Sequence, residues 1–280
     1  TGVATGTAII TIKGKISTSV STTCTVTVTK ARVSVTAAQI AANKEKYYGQ
    51  VAENYTAGGL TYRIFYVDTE NKFGDGANTV YLKADYKTSM TLSYHITYNP
   101  EGNDLEVYKR MNPSWAAQRG SITPTNWNDN ERAAAWLCSS TQWTDYLDNT
   151  KATYAIGGPS TEMYVASYND VSHSTGTAKG GLSTEYRATS VPGYIYKIDG
   201  AEQNSGYYTN SNTIDNTGYN NMYAKSGYYW WLASRSSDTS NGVCFVYGYG
   251  ADLDRGNYGS SNGVGPLVSL KSGVPVEITE

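Results

Sequence analysis

Histidine and cysteine carry much of nucleophilic, acid–base and metal chemistry, and they are nearly missing from these 280 residues: two of the first, three of the second. His95 and His173 have no neighbour at a metal-ligand spacing, so both read as structural or incidental. Cys24, Cys138 and Cys244 lie far apart with no C-x-x-C pair, which argues against a zinc site, and their odd number leaves at least one thiol free. No G-x-S-x-G and no G-x-x-x-x-G-K-[ST] occurs, so neither a serine nucleophile elbow nor a phosphate-binding loop is signalled. Charged residues are only 16%, against about 25% in ordinary soluble domains, and the formal net charge is −2. Neither nucleic acid nor an anionic membrane is favoured as a partner. No apolar run approaches the length of a membrane span. No secretory signal pattern opens the chain. Its first residues, TGVATGTAIITIKGK, are strand-like from the outset, as expected of a fragment of a longer, exported protein.

A second absence is local. From Leu232 to Leu270 there is no Lys, Glu, Gln, Met or Trp, although the chain holds 40 residues of these types among its 280. In proportion, those 39 positions should hold between five and six. A polar surface segment without Lys or Glu is unusual. The residues that remain are Tyr, Asp, Arg, Asn, Ser and Gly. They resemble an antibody paratope, in which Tyr supplies rigid contact area and Ser, Gly and Asn supply adaptable hydrogen bonds. Tyr is abundant throughout, at 26, while Phe numbers three.

The rest of the chain reads as α+β. Ala8–Ile12 and Cys24–Thr29 have strand patterns, the latter alternating with Thr. Two strands cannot form a core alone, so they are expected to end a sandwich or to pair elsewhere in the chain. Thr36-Ala-Ala-Gln39 is a capping box opening a helix through Lys46. Leu60–Asp68 and Val80–Ala84 read as strands of a hairpin through Gly74-Asp-Gly76. Residues 98–127 read as a long polar excursion. Asn128-Asp-Asn-Glu131 caps a helix through Cys138, and a third helix runs from Pro159 to about Tyr168. Residues 170–226 are Gly-, Ser-, Thr-, Asn- and Tyr-rich, with Tyr194–Ile198 a short strand candidate. Strands return at Tyr229–Leu232, Gly242–Tyr249 and Val264–Leu270. His95 falls within the alternating Leu92–Ile96 and reads as a strand residue.

Two segments invite a calcium reading. Asp252-Leu-Asp254-Arg-Gly256 starts like an EF-hand loop, but Gly256 and Gly263 stand where its fifth and twelfth ligands belong. Trp127-Asn-Asp129 repeats a triplet of calcium-dependent sugar-binding lectins, yet here Asn128 and Asp129 open a helix as caps. In Val243–Tyr249, alternation puts Val243, Phe245, Tyr247 and Tyr249 on one face and Cys244 and Val246 on the other.

Two resemblances follow. GVATGTAIITI (2–12) and CTVTVT (24–29) resemble the end of a group 2 bacterial immunoglobulin-like domain, giving an expected boundary at residues 1–30. YYWWLASRSS (228–237), GVGPLVSLKSG (263–273), KYYGQVAENYTAGGLTYRIFYVD (46–68), VYLKADY (80–86), NWNDNERAAAWL (126–137) and YAIGGPSTEMYVASYND (154–170) resemble the C-type-lectin-like fold related to the formylglycine-generating enzyme. This second likeness covers about residues 36–275 and implies a ligand-binding domain over 31–280, with short helices and a mixed, mostly antiparallel sheet. Members of that subgroup, from gut bacteria and their phages, include targets of diversity-generating retroelements. In these an error-prone reverse transcriptase randomises adenines, largely at AAY codons, which can become 15 amino acids. The five out of reach are Lys, Glu, Gln, Met and Trp.

The resemblance thus implies a non-enzymatic recognition protein with a variable region at about 232–270, mounted outside the cell on a phage particle or bacterial surface. Its implied partner is a protein or glycan on a bacterial or host surface, without nucleic acid, membrane insertion, metal or cofactor. The expected anchors are Phe245, Tyr247, Tyr249 and Tyr258. Arg235, Asp238, Asp252, Asp254, Arg255 and Asn257 are expected to add charge and hydrogen bonds, while Trp230 and Trp231 belong to the scaffold. Two alternatives are a calcium-dependent glycan lectin and an oxidase of the formylglycine-generating type. The oxidase branch needs a cysteine pair near the C-terminus, where only Cys244 stands. Gly265 also departs from the Arg common in the family, which puts a core hydrogen bond in question.

Overall fold

A computed structural model describes residues 6–16, 19–119, 123–171, 182–186, 194–198, 201–203, 229–236, 241–247 and 252–279. The strands, in chain order, are β1 (Gly6–Lys13), β2 (Ser21–Val28), β3 (Arg32–Val35), β4 (Tyr62–Asp68), β5 (Thr79–Ala84), β6 (Thr88–Thr91), β7 (Ala152–Ile156), β8 (Leu182–Tyr186), β9 (Tyr194–Ile198), β10 (Ala201–Gln203), β11 (Trp230–Arg235), β12 (Gly242–Tyr247), β13 (Asp252–Asn257), β14 (Ser261–Val264), β15 (Leu267–Leu270) and β16 (Val276–Thr279). The helices are α1 (Ala37–Ala42), α2 (Lys44–Tyr47), α3 (Gly102–Met111), α4 (Pro113–Arg119), α5 (Asp129–Trp136) and α6 (Thr161–Asn169). The chain is α+β, with mostly antiparallel sheets. The one parallel pairing among the described strands joins β11 to β14.

Two sheets carry the core: β4-β5-β15-β7 in one, β13-β12-β11-β14-β6 in the other. β3 and β16 pair antiparallel, Val35 opposite Val276, which brings residues 32–35 and 276–279 together. The β4–β5 hairpin forms as its glycines predict. The Thr36 capping box forms too, with the Thr36 N–H donating to Gln39 Oε1 at 2.8 Å. The helix it opens is broken at Asn43 into α1 and α2, where the Asn43 side chain caps the second turn. β1 and β2 pair only with each other among the described strands, over eight positions from Gly6–Val28 to Lys13–Ser21. Ile9, Ile10, Ile12 and Val26 stay exposed on that hairpin.

The sequence expectation fails at residues 98–127, which hold α3 and α4 rather than a polar excursion. Leu105, Val107, Tyr108 and Met111 form the helical apolar stripe of α3, and the last three are buried. Gly102 and Pro113 look like loop punctuation, but Gly102 opens α3 at φ +52° and Pro113 opens α4, where proline lacks nothing the helix needs. His95 also departs from expectation: residues 92–95 form a 3₁₀ turn, and the imidazole stacks on Trp136 at 3.5 Å.

Asp75, in the β4–β5 loop, ties the first sheet together. It accepts hydrogen bonds from Tyr81 Oη at 2.7 Å, Tyr154 Oη at 2.6 Å and Ser269 Oγ at 3.2 Å, so β5, β7 and β15 converge on one carboxylate. Arg110 of α3 pairs with its other oxygen. Burial above all, reinforced for both by the Asp75 charge and for Tyr81 by the neighbouring Tyr154, holds the Tyr81 and Tyr154 hydroxyls well above the ordinary phenol range, so both remain donors. Removing one acceptor from three buried donors and an arginine is costly, so Asp75→Ala should lower stability by about 3 kcal/mol in urea unfolding, with a smaller loss for Asp75→Asn.

Candidate functional site

The 232–270 stretch spans β11 to β15 and splits into buried and exposed positions. β11 is buried along its whole length. β12 flanks it on one side, with Trp230 opposite Val246 and Trp231 opposite Phe245, and β14 on the other, with Trp230 opposite Gly263. Between Trp231 and Arg235 the β11–β12 register shifts, and β11 turns its polar groups toward the helices instead. The Ala233 N–H donates to Pro159 O at 2.8 Å, and Asn112 Nδ2 donates to Ala233 O at 2.9 Å. Ser234 Oγ donates to Asn112 Oδ1 and accepts from the Thr161 N–H. Each bond joins β11 to a segment over 70 residues earlier.

Arg235 closes this network. Its side chain is wholly buried, with Nε 3.3 Å from Glu131 Oε1, itself wholly buried. Glu131 is the third residue of α5. Its other oxygen accepts the Asn128 N–H at 2.8 Å, and Trp115 Nε1 donates to Oε1 at 3.3 Å. One carboxylate therefore caps the helix, favours the helix N-terminus electrostatically and neutralises the guanidinium. Asn128 and Asp129 act as the cap region of α5, as the sequence pattern predicts.

Two expected contact residues are thereby corrected. Arg235 has no exposed surface and is a core ion-pair partner, because its strand runs beneath α5. Phe245, 8% exposed, packs edge-on against Tyr229 and Trp231 with centroids 5.3 and 6.1 Å away. Gly256 of β13 lies over the Phe245 ring, where a Cβ would stand 2.9 Å from it. Val243, Cys244 and Val246 are buried as well, since β12 is an interior strand covered on both faces. The Cys244 thiol contacts the Arg235 carbonyl at 3.5 Å, and burial pushes the Cys138 thiol well above its ordinary range.

Among the described residues, the exposed positions gather at one end of the second sheet. Arg255 is half-buried, and so is Tyr258, while Asn257 is exposed, as are Gly259, Ser260, Ser261 and Asn241. Backbone bonds fix this edge: Tyr258 N–H to Asn241 O at 3.0 Å, Ser260 N–H to Asn257 O at 2.8 Å, and Ser93 N–H to Tyr258 O at 2.9 Å. Asn257 Oδ1 accepts the Gly259 N–H at 2.7 Å, closing the turn with its own side chain. The last backbone bond brings in the 92–95 turn, whose Tyr94 is 82% exposed. Tyr94 and Asn241 are absent from the expected contact set. The Asn-Gly turn at 241–242 was a legible signal for the second, whereas only tertiary contact brings in the first. Asp238 and Tyr249 lie outside the described residues, as do the side chains of Tyr247, Asp252 and Asp254.

At Gly265 an added Cβ would stand 2.5 Å from Lys83 Nζ and 2.8 Å from the Ala84 carbonyl, so this backbone packs directly on the buried β5 lysine. The Lys83 ammonium lies 4.2 Å from the Trp230 ring centroid.

Truncating one partner of a buried ion pair strands the other. Arg235→Met should therefore cost about 3–5 kcal/mol in chemical denaturation. The double variant Glu131→Gln/Arg235→Met should cost clearly less than the two single losses added together.

No family model matches the chain, and neither a curated protein nor a solved structure matches it.

Proposed function

We propose that this chain is a non-enzymatic recognition protein whose variable surface is displayed on a constant, C-type-lectin-like scaffold and diversified by a retroelement. The observation that carries this reading is the division within 232–270. The segment lacks the five residue types unreachable from AAY codons. Among the described residues, its exposed and half-buried members, Asn241 and residues 255–261, gather on one hydrogen-bonded edge. Buried members such as Leu232, Ala233, Val243, Val246, Leu267 and Val268 form core. A surface meant to vary needs a backbone that does not depend on its side chains. Here the backbone is held by main-chain bonds and by buried groups beneath it.

The partner is a protein or glycan on a bacterial or host surface. Tyr258 serves as anchor, with Arg255 and Asn257 as polar contacts and Tyr247, Tyr249, Asp238, Asp252 and Asp254 completing the set. Among the described residues no helix is long and apolar enough to cross a membrane. The molecule is placed outside the cell, on a phage particle or bacterial surface, with residues 1–30 as the end of an immunoglobulin-like spacer. The apolar alternation of β1 and β2 supports that last assignment, because an exposed two-stranded ribbon needs further strands to bury its Ile residues.

The genomic locus tests the proposal. A reverse-transcriptase gene and a near-identical copy of the 232–270 coding segment should lie nearby. Mismatches should fall at adenines of the copy, concentrated in the codons of Asn241 and residues 255–261. Mismatches spread over all four bases, or concentrated in the codons of buried residues, would overturn it.

A further inference from the structure

Lys83 is the cation most deeply enclosed in the first sheet, at 1% exposure. Its Nζ donates to the Ala84 carbonyl at 3.1 Å and lies over the Trp230 ring. The Gly265 backbone forms the remaining wall, and a side chain there would collide with both Nζ and the Ala84 carbonyl. Asp85 stands two residues on, just past the end of β5, and Arg63 lies directly opposite on β4. Arg63 is bound to Asp85 through Nε at 2.6 Å and Nη2 at 3.1 Å, so much of that carboxylate's charge is already engaged. β15 presents Leu267, and Tyr86 packs edge-on against Trp230 with ring centroids 5.4 Å apart.

We propose that Lys83 is a proton-responsive positioning residue: its protonation state sets how Trp230 and the Gly265–Pro266 turn are held, and through them the exposed edge at 255–261. The route is short. Trp230 pairs with Gly263, and the Gly263 N–H donates to Tyr229 O at 2.6 Å. β14 begins at Ser261, the last residue of the exposed edge. An ammonium attracts the indole face and offers three donors, whereas an amine loses the ring attraction and one donor. Burial penalises the charged form and pushes the Lys83 ammonium down to about 7, with Asp85 opposing the shift, so both forms are populated near neutrality. The response of the buried site is independent of any ligand, while its consequence for recognition rests on the function proposed above.

The test is an NMR titration of the ligand-free chain, with ¹⁵N/¹³C-labelled lysine side chains and tryptophan indoles, from pH 5 to pH 11. One lysine should titrate near neutrality, well apart from the others. Its signal should be missing from Lys83→Met. The Trp230 indole, assigned with Trp230→Phe, and the Gly263 amide should shift with the same midpoint in the native chain and stay flat in Lys83→Met. If Lys83→Met does not fold, through-bond correlation assigns Lys83 in the native chain and the same comparison is made there. Unfolded lysine titrates near 10.5, so the native chain should also gain stability as pH rises from about 7 to 10.5, where the unfolded state holds the proton that the folded state has released. A Lys83 that titrates with the other lysines overturns the proposal. So does one that titrates near neutrality while Trp230 and Gly263 stay still. Neither outcome bears on the retroelement reading, which stands or falls on the locus.

Discussion

The Glu131–Arg235 pair is the constraint on which the arrangement of the second sheet depends. Both groups are wholly buried, and burying either alone would be prohibitive, so α5 and β11 can occupy only the relative position that brings them together. The same carboxylate caps α5 and accepts from Trp115, so helix start, strand end and aromatic packing are fixed by one side chain. An apolar pair of similar volume could stabilise as much. The ion pair differs in tolerating only one register.

That constraint explains how a polar, Gly- and Ser-rich segment can hold a defined shape. Beside the pair, Asn112 Nδ2 and the Pro159 carbonyl take up the carbonyl and amide of Ala233 where the β11 register shifts, and Ser234 Oγ bonds Asn112 Oδ1 and the Thr161 N–H. β12 is then locked between β11 and β13, with Phe245 closed over by Gly256. Among the described residues, what reaches the surface is a short edge whose backbone is bonded to Asn241 and to the 92–95 turn. Of its side chains, Asn257 closes the turn at Gly259 and Tyr258 packs in part against the core, while Asn241, Ser260 and Ser261 are exposed.

Much of this was legible along the chain. The capping signatures located the helices beginning at residues 37, 129 and 161, because caps are local chemistry. The β4–β5 hairpin was legible from its glycines. α3 and α4 were not, since Gly102 and Pro113 imitate loop signals while serving as helix starts. In the sequence Arg235 stands in a Ser-rich polar run and reads as a surface contact. Its partner lies 104 positions earlier, and nothing local announces it. Alternation correctly paired Phe245 with Val243 on one face of β12, but period two does not say that both faces of an interior strand are covered. The Lys83–Gly265 complementarity was visible only as an unexplained glycine.

The central claim is that the stretch 232–270 joins a fixed core to an exchangeable edge. A stability scan of every position from 229 to 271, read by protease resistance on displayed variants, tests it most directly. The account predicts that substitutions at Asn241, Arg255, Ser260 and Ser261 stay within about 1 kcal/mol of the parent, singly and in combination, whereas those at Ala233, Ser234, Arg235, Val243, Val246 and Leu267 cost about 2 kcal/mol or more. Equal sensitivity of the two groups would contradict it.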